Sequence, residues 1–208
     1  MIVELLSITP NAEKIIEKAA RTSYQSFDKM HQGSESYLIK NLIKNGHLSV
    51  LEHAYATFRI SGISRGCSHQ LVRHRIASFT QKSQRYVNEK NFEYVIPPSI
   101  KNNTEALNIY TKFMEEAKKV YTDLLNLKIL KEDARFVLPN ATTTELVITA
   151  NFREFRHIFK LRLNQKAQWE IRVLCLKMLE ILKKEAPSVF EDFKINYKNI
   201  TAETIFPD

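Results

Sequence analysis

The sequence contains few of the residues on which several common protein classes depend. Its 208 residues include two cysteines, four glycines and six prolines. The cysteines, Cys67 and Cys175, are too few for a disulfide framework, and their spacing matches no metal-binding motif. So little glycine and proline leaves little room for flexible linkers or low-complexity tracts. The chain also has no glycine-rich loop of the kind that holds phosphates in a Rossmann fold.

Long apolar runs are also missing from the chain. Residues 1–6 have no basic region and include Glu4, which argues against a signal peptide. The most apolar later stretch, residues 171–182, is interrupted by three charged residues and so cannot span a bilayer. We therefore expect a protein that acts in the cytoplasm and has no membrane partner.

The chain carries a formal net charge of +8, and the arginines lie mainly in segments 65–85 and 153–172. Such a charge either serves an anionic partner or belongs to a solvated surface. No helix-turn-helix, zinc spacing or module of stacking aromatics indicates a nucleic-acid-binding protein. Two short arginine-rich segments favour a pocket for a small anion, so we expect no nucleic-acid partner.

Hydrophobic periodicity predicts a mixture of helices and strands without a regular strand–helix–strand alternation. The predicted strands are 1–8, 52–63, 92–96 and 142–150. The first predicted helix begins at Thr9, with Thr9 as its N-cap. The other predicted helices cover 34–46, 64–74, 105–126 (N-cap Thr104), a short segment that carries Arg135 and ends at Pro139, 151–163 (N-cap Asn151) and 166–185. This order predicts an α+β fold with a mostly antiparallel sheet, long flanking helices and no Rossmann motif. We predict a single domain over residues 1–208.

The densest positive charge lies between Arg73 and Tyr86. These fourteen residues include three arginines, one histidine and two serines, and no acidic residue. Such a cluster repels itself unless an anion lies among its side chains, and guanidinium groups bind phosphate through paired N–H donors. The segment therefore predicts a phosphate-binding site.

A second candidate site lies on the predicted helix 151–163. With roughly 100° of rotation per residue, Arg162 falls on the apolar arc of this helix. That arc consists of Phe152, Phe155, Ile158 and Phe159. A cation there either extends to solvent from the helix end or reaches an anionic ligand, and the pattern leaves both interpretations open. The opposite face is predicted to be a cationic surface of Arg153, Arg156, His157 and Lys160.

Two further features are less specific. The turn over residues 46–53 places histidine and serine between a helix and a strand, which is a common location for function but also for solvated side chains. Cys67 lies on a helix rich in arginine and histidine, where cations would favour a thiolate nucleophile. A lone cysteine is more often a small core residue.

Several of these motifs, in this order, resemble those of the flavin-dependent thymidylate synthases. The segment that begins at Arg73 matches the signature of that family, which is Arg-His-Arg, seven residues and then serine, here Ser83. The other matching pieces are Gly46-His47 to Glu52-His53, Gln70-Leu71-Val72, Ala134 to Pro139, Asn151-Phe152-Arg153, Leu161-Arg162 and Ala167 to Ile171. The resemblance covers nearly the whole chain, and several ordered motifs are more specific than one.

The resemblance implies an enzyme that methylates dUMP to dTMP, with FAD as cofactor and 5,10-methylenetetrahydrofolate and NADPH as co-substrates. It also implies a homotetramer whose active sites are shared between subunits. The residues implied to bind FAD are Ser49, Arg73, His74, Arg75, Gln81, Asn151, Arg153 and His157. Those implied to bind dUMP are Gln70, Leu71, Val72, Arg73, Gln81, Lys82, Ser83, Gln84, Arg85, Arg135 and Arg162. The chain departs from many members at Thr80-Gln81 and from some members at His157, and both departures keep hydrogen-bonding capacity.

The chemistry that the resemblance implies suits an arginine at position 162. Methylation at C5 of uracil requires electron density on C5, and negative charge then develops around N3 and O4. A fixed guanidinium stabilises that charge best where water is excluded, so we predict Arg162 as the catalytic residue. Ser83 has no adjacent general base and is expected to position the substrate. The alternatives are a basic nucleic-acid-binding protein and an inactive relative that binds only nucleotide or flavin.

Overall fold

The structure is a computed structural model that describes residues 1–206, and about half of the chain is helical. The strands are β1 (Ile2–Ile8), β2 (Tyr55–Ser64), β3 (Ser78–Gln81), β4 (Thr143–Asn151), β5 (Phe193–Asn196) and β6 (Thr201–Thr204). The helices are α1 (Ala12–Thr22), α2 (Ser34–Lys44), α3 (Arg65–Leu71), α4 (Pro98–Lys101), α5 (Thr104–Asn126), α6 (Lys131–Ala134), α7 (Phe152–Arg162), α8 (Trp169–Glu185) and α9 (Pro187–Phe190). Short 3₁₀ helices cover Phe27–Lys29, Leu48–His53 and Arg135–Val137. The predicted α+β class is confirmed.

Four strands form an antiparallel sheet in the order β1-β2-β4-β3. Strand β4 alternates buried and half-buried residues along most of its length, because successive side chains of a strand point to opposite faces. A second sheet pairs β5 with β6 in antiparallel register, with Phe193 opposite Thr204 and Asn196 opposite Thr201. The predicted strand over 92–96 is wrong, since its only bridge joins Tyr94 to Thr142 among the described residues. Strands β3, β5 and β6 were not predicted.

The described residues form two compact units. Unit 1 comprises Met1–Ile2, Ile60–Gln70 and Thr80–Leu146, and unit 2 comprises Val3–Arg59, Leu71–Phe79 and the chain from Val147 onward. The assignment of residues 1–208 to a single domain stays a prediction.

Unit 1 is built around α5, the longest helix. Its inward face buries Met114, Ala117 and Tyr121, as the helical spacing of the apolar residues predicts. The hydroxyl of Tyr110 donates to the carbonyl of Val95 at 2.6 Å, which ties this helix to the preceding chain. Cys67 is buried, so it belongs to the core.

In the part of the chain that the structure describes, no helix is both long and apolar enough to cross a membrane.

Unit 2 has an aromatic core. The rings of Phe152, Phe159, Phe190 and Phe193 meet edge to face, with centroids 5.3 to 6.0 Å apart. This arrangement places the positive edge of one ring against the negative face of the next, and each such pair adds about 0.5–1.5 kcal/mol to the burial of its area. The predicted apolar arc of α7 is therefore confirmed as a core face.

Two helices begin with a different cap from the predicted one. The N-cap of α1 is Asn11, in a left-handed conformation, because the Thr9 hydroxyl instead accepts a 2.8 Å bond from the backbone N–H of Tyr55. The N-cap of α5 is Asn103, whose side chain accepts from the backbone of the first turn at 3.0 Å. The prediction of Thr104 was wrong by one residue, because both positions carry a side chain that can cap a helix.

Candidate active site

A cavity of about 710 Å³ lies within unit 2, a volume typical of sites for small ligands and cofactors. Its walls come from α7, the 3₁₀ helix Leu48–His53 and the arginine-rich segment after α3. The lining residues are Leu48, Glu52, Arg73, His74, Arg75, Ile76, Asn151, Arg153, Glu154, Arg156, His157, Leu161 and Arg162. The two arginine-rich segments identified in the sequence thus contribute to one cavity.

Helix α7 supplies one wall because its sequence has two distinct faces. The side chain of Asn151 caps its first turn by accepting from the backbone N–H of Glu154 at 2.8 Å, as predicted. While the phenylalanines pack into the core, Arg153, His157 and Leu161 lie on the cavity side at a spacing of four residues. Arg153 and His157 are exposed, as expected for the face opposite the apolar arc.

Arg162 is held at the end of α7 by a histidine. Its Nε donates to Nε2 of His74 at 3.0 Å, and Nδ1 of His74 lies 3.5 Å from Oε1 of Glu154. His74 and Glu154 are each 5% exposed, so both side chains have little freedom to turn. The ring of His157 meets that of His74 edge to face at 5.9 Å. His74, from the arginine-rich segment after α3, therefore contacts both Arg162 and Glu154 of α7.

His74 is neutral in this arrangement. Burial lowers its pKa to about 4, and Arg162 and His157 act in the same direction. Burial also raises the pKa of Glu154, while His157 lowers it. A neutral imidazole can accept the N–H of Arg162, which an imidazolium could not.

Two arginines that line the cavity have no side-chain partner among the described residues. Arg73 and Arg75 are both exposed, and their guanidinium groups make no hydrogen bond or ion pair within residues 1–206. Arg153, by contrast, donates to a carboxylate oxygen of Glu52. Two unpaired guanidinium groups beside one cavity are suited to an anionic group such as a phosphate.

Arg156 differs from its predicted environment. It is buried, and its guanidinium forms two hydrogen bonds to Asp192, at 2.6 and 2.8 Å. It also lies over the ring of Phe193 at 5.0 Å. The prediction of a cationic surface is therefore wrong for this residue, because the chain after α9 covers it and supplies a counter-charge. Arg156 ties α7 to the C-terminal chain.

In unit 1, three of the residues predicted to bind dUMP lie around Glu132. Nε of Arg85 donates to the carboxylate of Glu132 at 3.1 Å, and Nε of Arg135 donates to its backbone carbonyl at 3.0 Å. The hydroxyl of Ser83 accepts from the backbone N–H of Arg85 at 3.3 Å. The signature serine and two predicted phosphate ligands are thus brought together.

Other predicted residues of unit 1 are engaged within it. Gln81 donates to the hydroxyls of Ser68 and Thr144 at 2.9 and 3.1 Å. Nζ of Lys82 lies 2.8 Å from the buried carboxylate of Glu89. Gln84 is buried, and Gln70 donates to the backbone of its own helix at 3.4 Å. Their roles toward a ligand stay predictions.

The remaining predicted residues belong to unit 2. Leu71 is fully buried, so its side chain is part of the core, and Val72 is half-buried. Ser49 is exposed on the 3₁₀ helix that contributes Leu48 and Glu52 to the cavity.

No role was predicted for three carboxylates that contact predicted site residues, those of Glu52, Glu132 and Glu154. Glu52 is 101 residues from its partner Arg153, and Glu132 is 47 residues from Arg85. No local spacing links such pairs. The only local signal was for Glu154, an acidic residue in the first turn of a helix, where the helix dipole favours a carboxylate.

Comparison with known proteins places this site in a family. Residues 4–188 match the family described as thymidylate synthase complementing protein. The flavin-dependent thymidylate synthase of Pyrococcus abyssi is 46% identical over 192 residues, which cover 88% of this chain and 79% of the relative. The enzyme of that name from Geobacter sulfurreducens is 42% identical over 200 residues, covering 92% and 86%.

A solved structure is similar over the same span. The crystal structure of thymidylate synthase X from Helicobacter pylori, with FAD and dUMP, matches with a TM-score of 0.80 and 29% sequence identity. The match covers 92% of this chain and 98% of that one. The chain belongs to the flavin-dependent thymidylate synthase family.

Proposed function

We propose that this chain is a flavin-dependent thymidylate synthase that binds FAD and converts dUMP to dTMP. The observation that carries the proposal is the cavity of unit 2, in which Arg162 donates to a buried neutral imidazole near the guanidinium groups of Arg73 and Arg75. The names of the relatives and the FAD and dUMP of the Helicobacter pylori structure support the same cofactor and nucleotide.

The cavity suits FAD in size and in the chemistry of its lining. The guanidinium groups of Arg73 and Arg75 suit a pyrophosphate, and Leu48, Ile76 and Leu161 offer apolar surface to a ring system. The residues that would hold FAD are those implied by the resemblance, namely Ser49, Arg73, His74, Arg75, Gln81, Asn151, Arg153 and His157. When bound, FAD supplies the hydride chemistry that no side chain can perform.

Arg162 is the proposed catalytic residue. As C5 of uracil becomes nucleophilic, negative charge accumulates around N3 and O4, and a guanidinium that is already oriented stabilises this charge without reorganisation. His74 contributes the orientation, because its Nε2 accepts the Nε–H of Arg162 at 3.0 Å. Since His74 is neutral, it fixes the direction of the guanidinium without adding a second charge.

The residues around Glu132 are the proposed anchor of the dUMP phosphate. Arg85 and Glu132 form an exposed ion pair, with 53% and 44% of their side chains accessible. Exposed pairs of this kind contribute at most about 1 kcal/mol, so a doubly charged phosphate can replace the carboxylate as partner of Arg85. Ser83 and Arg135 would add a hydroxyl and a second guanidinium. Gln70, Leu71, Val72, Arg73, Gln81, Lys82 and Gln84 complete the proposed set of dUMP ligands.

The proposal includes two co-substrates and an assembly. 5,10-Methylenetetrahydrofolate is the proposed donor of the one-carbon unit, and NADPH is the proposed reductant of the flavin. The resemblance supports a homotetramer whose active sites are shared between subunits.

The test begins with the absorption spectrum of the purified protein, with and without added FAD. We expect a flavin spectrum, elution as a tetramer, and formation of dTMP from dUMP only when folate donor and NADPH are both present. A colourless protein that does not bind added FAD would refute the proposal. A protein that binds FAD and dUMP but forms no dTMP would be an inactive relative instead.

The nucleic-acid alternative is tested by DNA binding at two salt concentrations. Contacts between surface cations and duplex phosphates weaken by orders of magnitude between about 50 and 200 mM salt. We expect weak duplex binding that is lost over this range. Tight, sequence-dependent binding at physiological salt would favour the nucleic-acid alternative.

A further inference from the structure

We infer that Glu154 is a positioning residue for catalysis, which orients the guanidinium of Arg162 through the imidazole of His74. The inference rests on the proposed function, because it concerns the residue to which that function assigns the chemistry. Neither the charge pattern nor the sequence motifs assign a role to Glu154. The role of Glu154 depends on which nitrogen of His74 carries the proton.

Hydrogen-bond chemistry fixes that proton. An arginine has only N–H donors, so the 3.0 Å contact from Nε of Arg162 requires Nε2 of His74 to be an acceptor. A neutral imidazole that accepts at Nε2 carries its proton on Nδ1. Nδ1 faces Oε1 of Glu154 at 3.5 Å, and a carboxylate accepts but does not donate. The two partners therefore select the same tautomer.

Glu154 can act on Arg162 only through the imidazole, because the two residues lie too far apart along α7 for their side chains to contact each other. Their positions differ by 162 − 154 = 8 residues, a rise of about 12 Å along the axis. His74 comes from another segment of unit 2 and lies between the two side chains. With 4% and 5% of the His74 and Glu154 side chains accessible, the packing leaves the ring little freedom to turn.

Glu154 is itself held in place. Its backbone N–H donates to the capping side chain of Asn151 at 2.8 Å, and its carboxylate lies in the first turn of α7, where the helix dipole favours a negative charge. Burial raises the pKa of this carboxyl, and His157, one turn further along, acts in the opposite direction. At 3.5 Å the contact with His74 is longer than an ordinary hydrogen bond, and contacts in sites without substrate commonly tighten when substrate binds.

Loss of the carboxylate would free the imidazole to exchange its proton. In the other tautomer, Nε2–H would face the Nε–H of Arg162, so two donors would oppose each other and this contact would be lost. A catalytic group displaced by about 1 Å loses much of its effect, even though its charge is unchanged. Turnover should fall while substrate binding by other residues persists.

The kinetic test compares Glu154→Ala and Glu154→Gln with Glu13→Gln in the FAD-loaded enzyme. Glu13 is a matched control, since it is a half-buried carboxylate that accepts two bonds from Ser188, at 2.7 and 2.9 Å, outside the cavity. We expect Glu154→Ala to lower kcat for dTMP about tenfold, with KM for dUMP and flavin reduction by NADPH within about twofold of wild type. The Gln variant should recover part of the loss because an amide oxygen can accept. Equal losses in Glu154→Ala and Glu13→Gln would overturn the inference.

A double-mutant cycle separates positioning from general damage. If Glu154 acts through Arg162, then Glu154→Ala should cost nothing further in an Arg162→Ala background. Independent, multiplying losses would show that Glu154 acts elsewhere and would contradict the inference.

The tautomer of His74 gives a readout that does not depend on turnover. In ¹⁵N-labelled FAD-loaded protein at pH 7, long-range ¹H–¹⁵N correlation should show His74 protonated on Nδ1, with assignment by loss of the signal in His74→Gln. Glu154→Ala should shift the tautomer toward Nε2–H. A wild-type signal from the Nε2–H tautomer would refute the inference even if dTMP forms. Absence of dTMP with the expected tautomer would refute only the proposed function.

Discussion

Arg162 in unit 2 and Arg85 in unit 1 are both predicted ligands of the nucleotide, but they have opposite surroundings. Arg162 donates to a buried neutral imidazole, whereas Arg85 donates to the exposed carboxylate of Glu132. A neutral acceptor orients a guanidinium without cancelling its charge, and a carboxylate cancels the charge until a stronger anion replaces it. The first arrangement suits a catalytic group, and the second suits a binding group that exchanges partners.

The largest expected effect is on stability. It tests how much more the loss of a buried ion pair costs than the loss of an exposed one. Asp192→Ala should destabilise the protein by about 3–5 kcal/mol, because it leaves the guanidinium of Arg156 buried without its counter-charge. Glu132→Ala, which breaks an exposed pair, should cost at most about 1 kcal/mol. Chemical denaturation of both variants measures the difference, and equal losses would show that burial does not set the cost.

Next in size is the effect of Arg162 on turnover. Arg162→Ala should lower kcat for dTMP by about a hundredfold, or about 3 kcal/mol, because it removes charge stabilisation that matters most in the transition state. Arg162→Lys should restore only part of the rate, since an ammonium lacks the planar fork of donors. Steady-state assays of dTMP formation decide this, and full rescue by Lys would argue that charge alone suffices.

The neutral state of His74 predicts a specific dependence of stability on pH. Its pKa is about 4 in the folded chain against a usual 6.5, so the unfolded chain takes up the proton first as the pH falls. Stability should therefore decrease between about pH 6.5 and pH 4, by on the order of 2–3 kcal/mol from this group. The raised pKa of Glu154 opposes part of this change.

Denaturation of wild type and His74→Gln at several pH values isolates the contribution of His74. The variant should show a shallower loss of stability across the same interval, whatever its stability at neutral pH. A wild-type curve that is flat from pH 6.5 to pH 4 and matches the variant would contradict a buried neutral imidazole.

Smaller effects are expected from the binding arginines. Arg85→Ala should raise the KM for dUMP about tenfold, or about 1.4 kcal/mol, with kcat nearly unchanged, since it removes one phosphate contact. Arg135→Ala should behave in the same way. Initial rates over a range of dUMP concentrations test this. A fall in kcat with unchanged KM would move Arg85 from the binding group to the catalytic group.

Local features of the sequence were enough to predict the helix α7, its cap and the strand β4. The cap at Asn151, the apolar arc of α7 and the strand predicted over residues 142–150 all depend on residues close in the chain, and the structure has each of them. The resemblance added the candidate ligands, and the structure brings many of these together in unit 2 and others around Glu132.

Features that depend on distant partners could not be predicted from periodicity. Arg156 looked like a surface cation on the helical wheel, but it is buried against Asp192, 36 residues away. Thr9 has the chemistry of a helix cap, but its hydroxyl bonds to Tyr55 in the neighbouring strand. In both cases a tertiary contact competes with the local preference and prevails.

The most direct test of the account measures NADPH oxidation and dTMP formation together in Arg162→Ala and Arg85→Ala. At saturating dUMP, Arg162→Ala should still reduce its flavin with NADPH but form dTMP about a hundredfold more slowly, whereas Arg85→Ala should perform both reactions at nearly the wild-type rate. Near-normal dTMP formation by Arg162→Ala would contradict the account, and would leave Arg162 as a cation that only extends from the end of its helix.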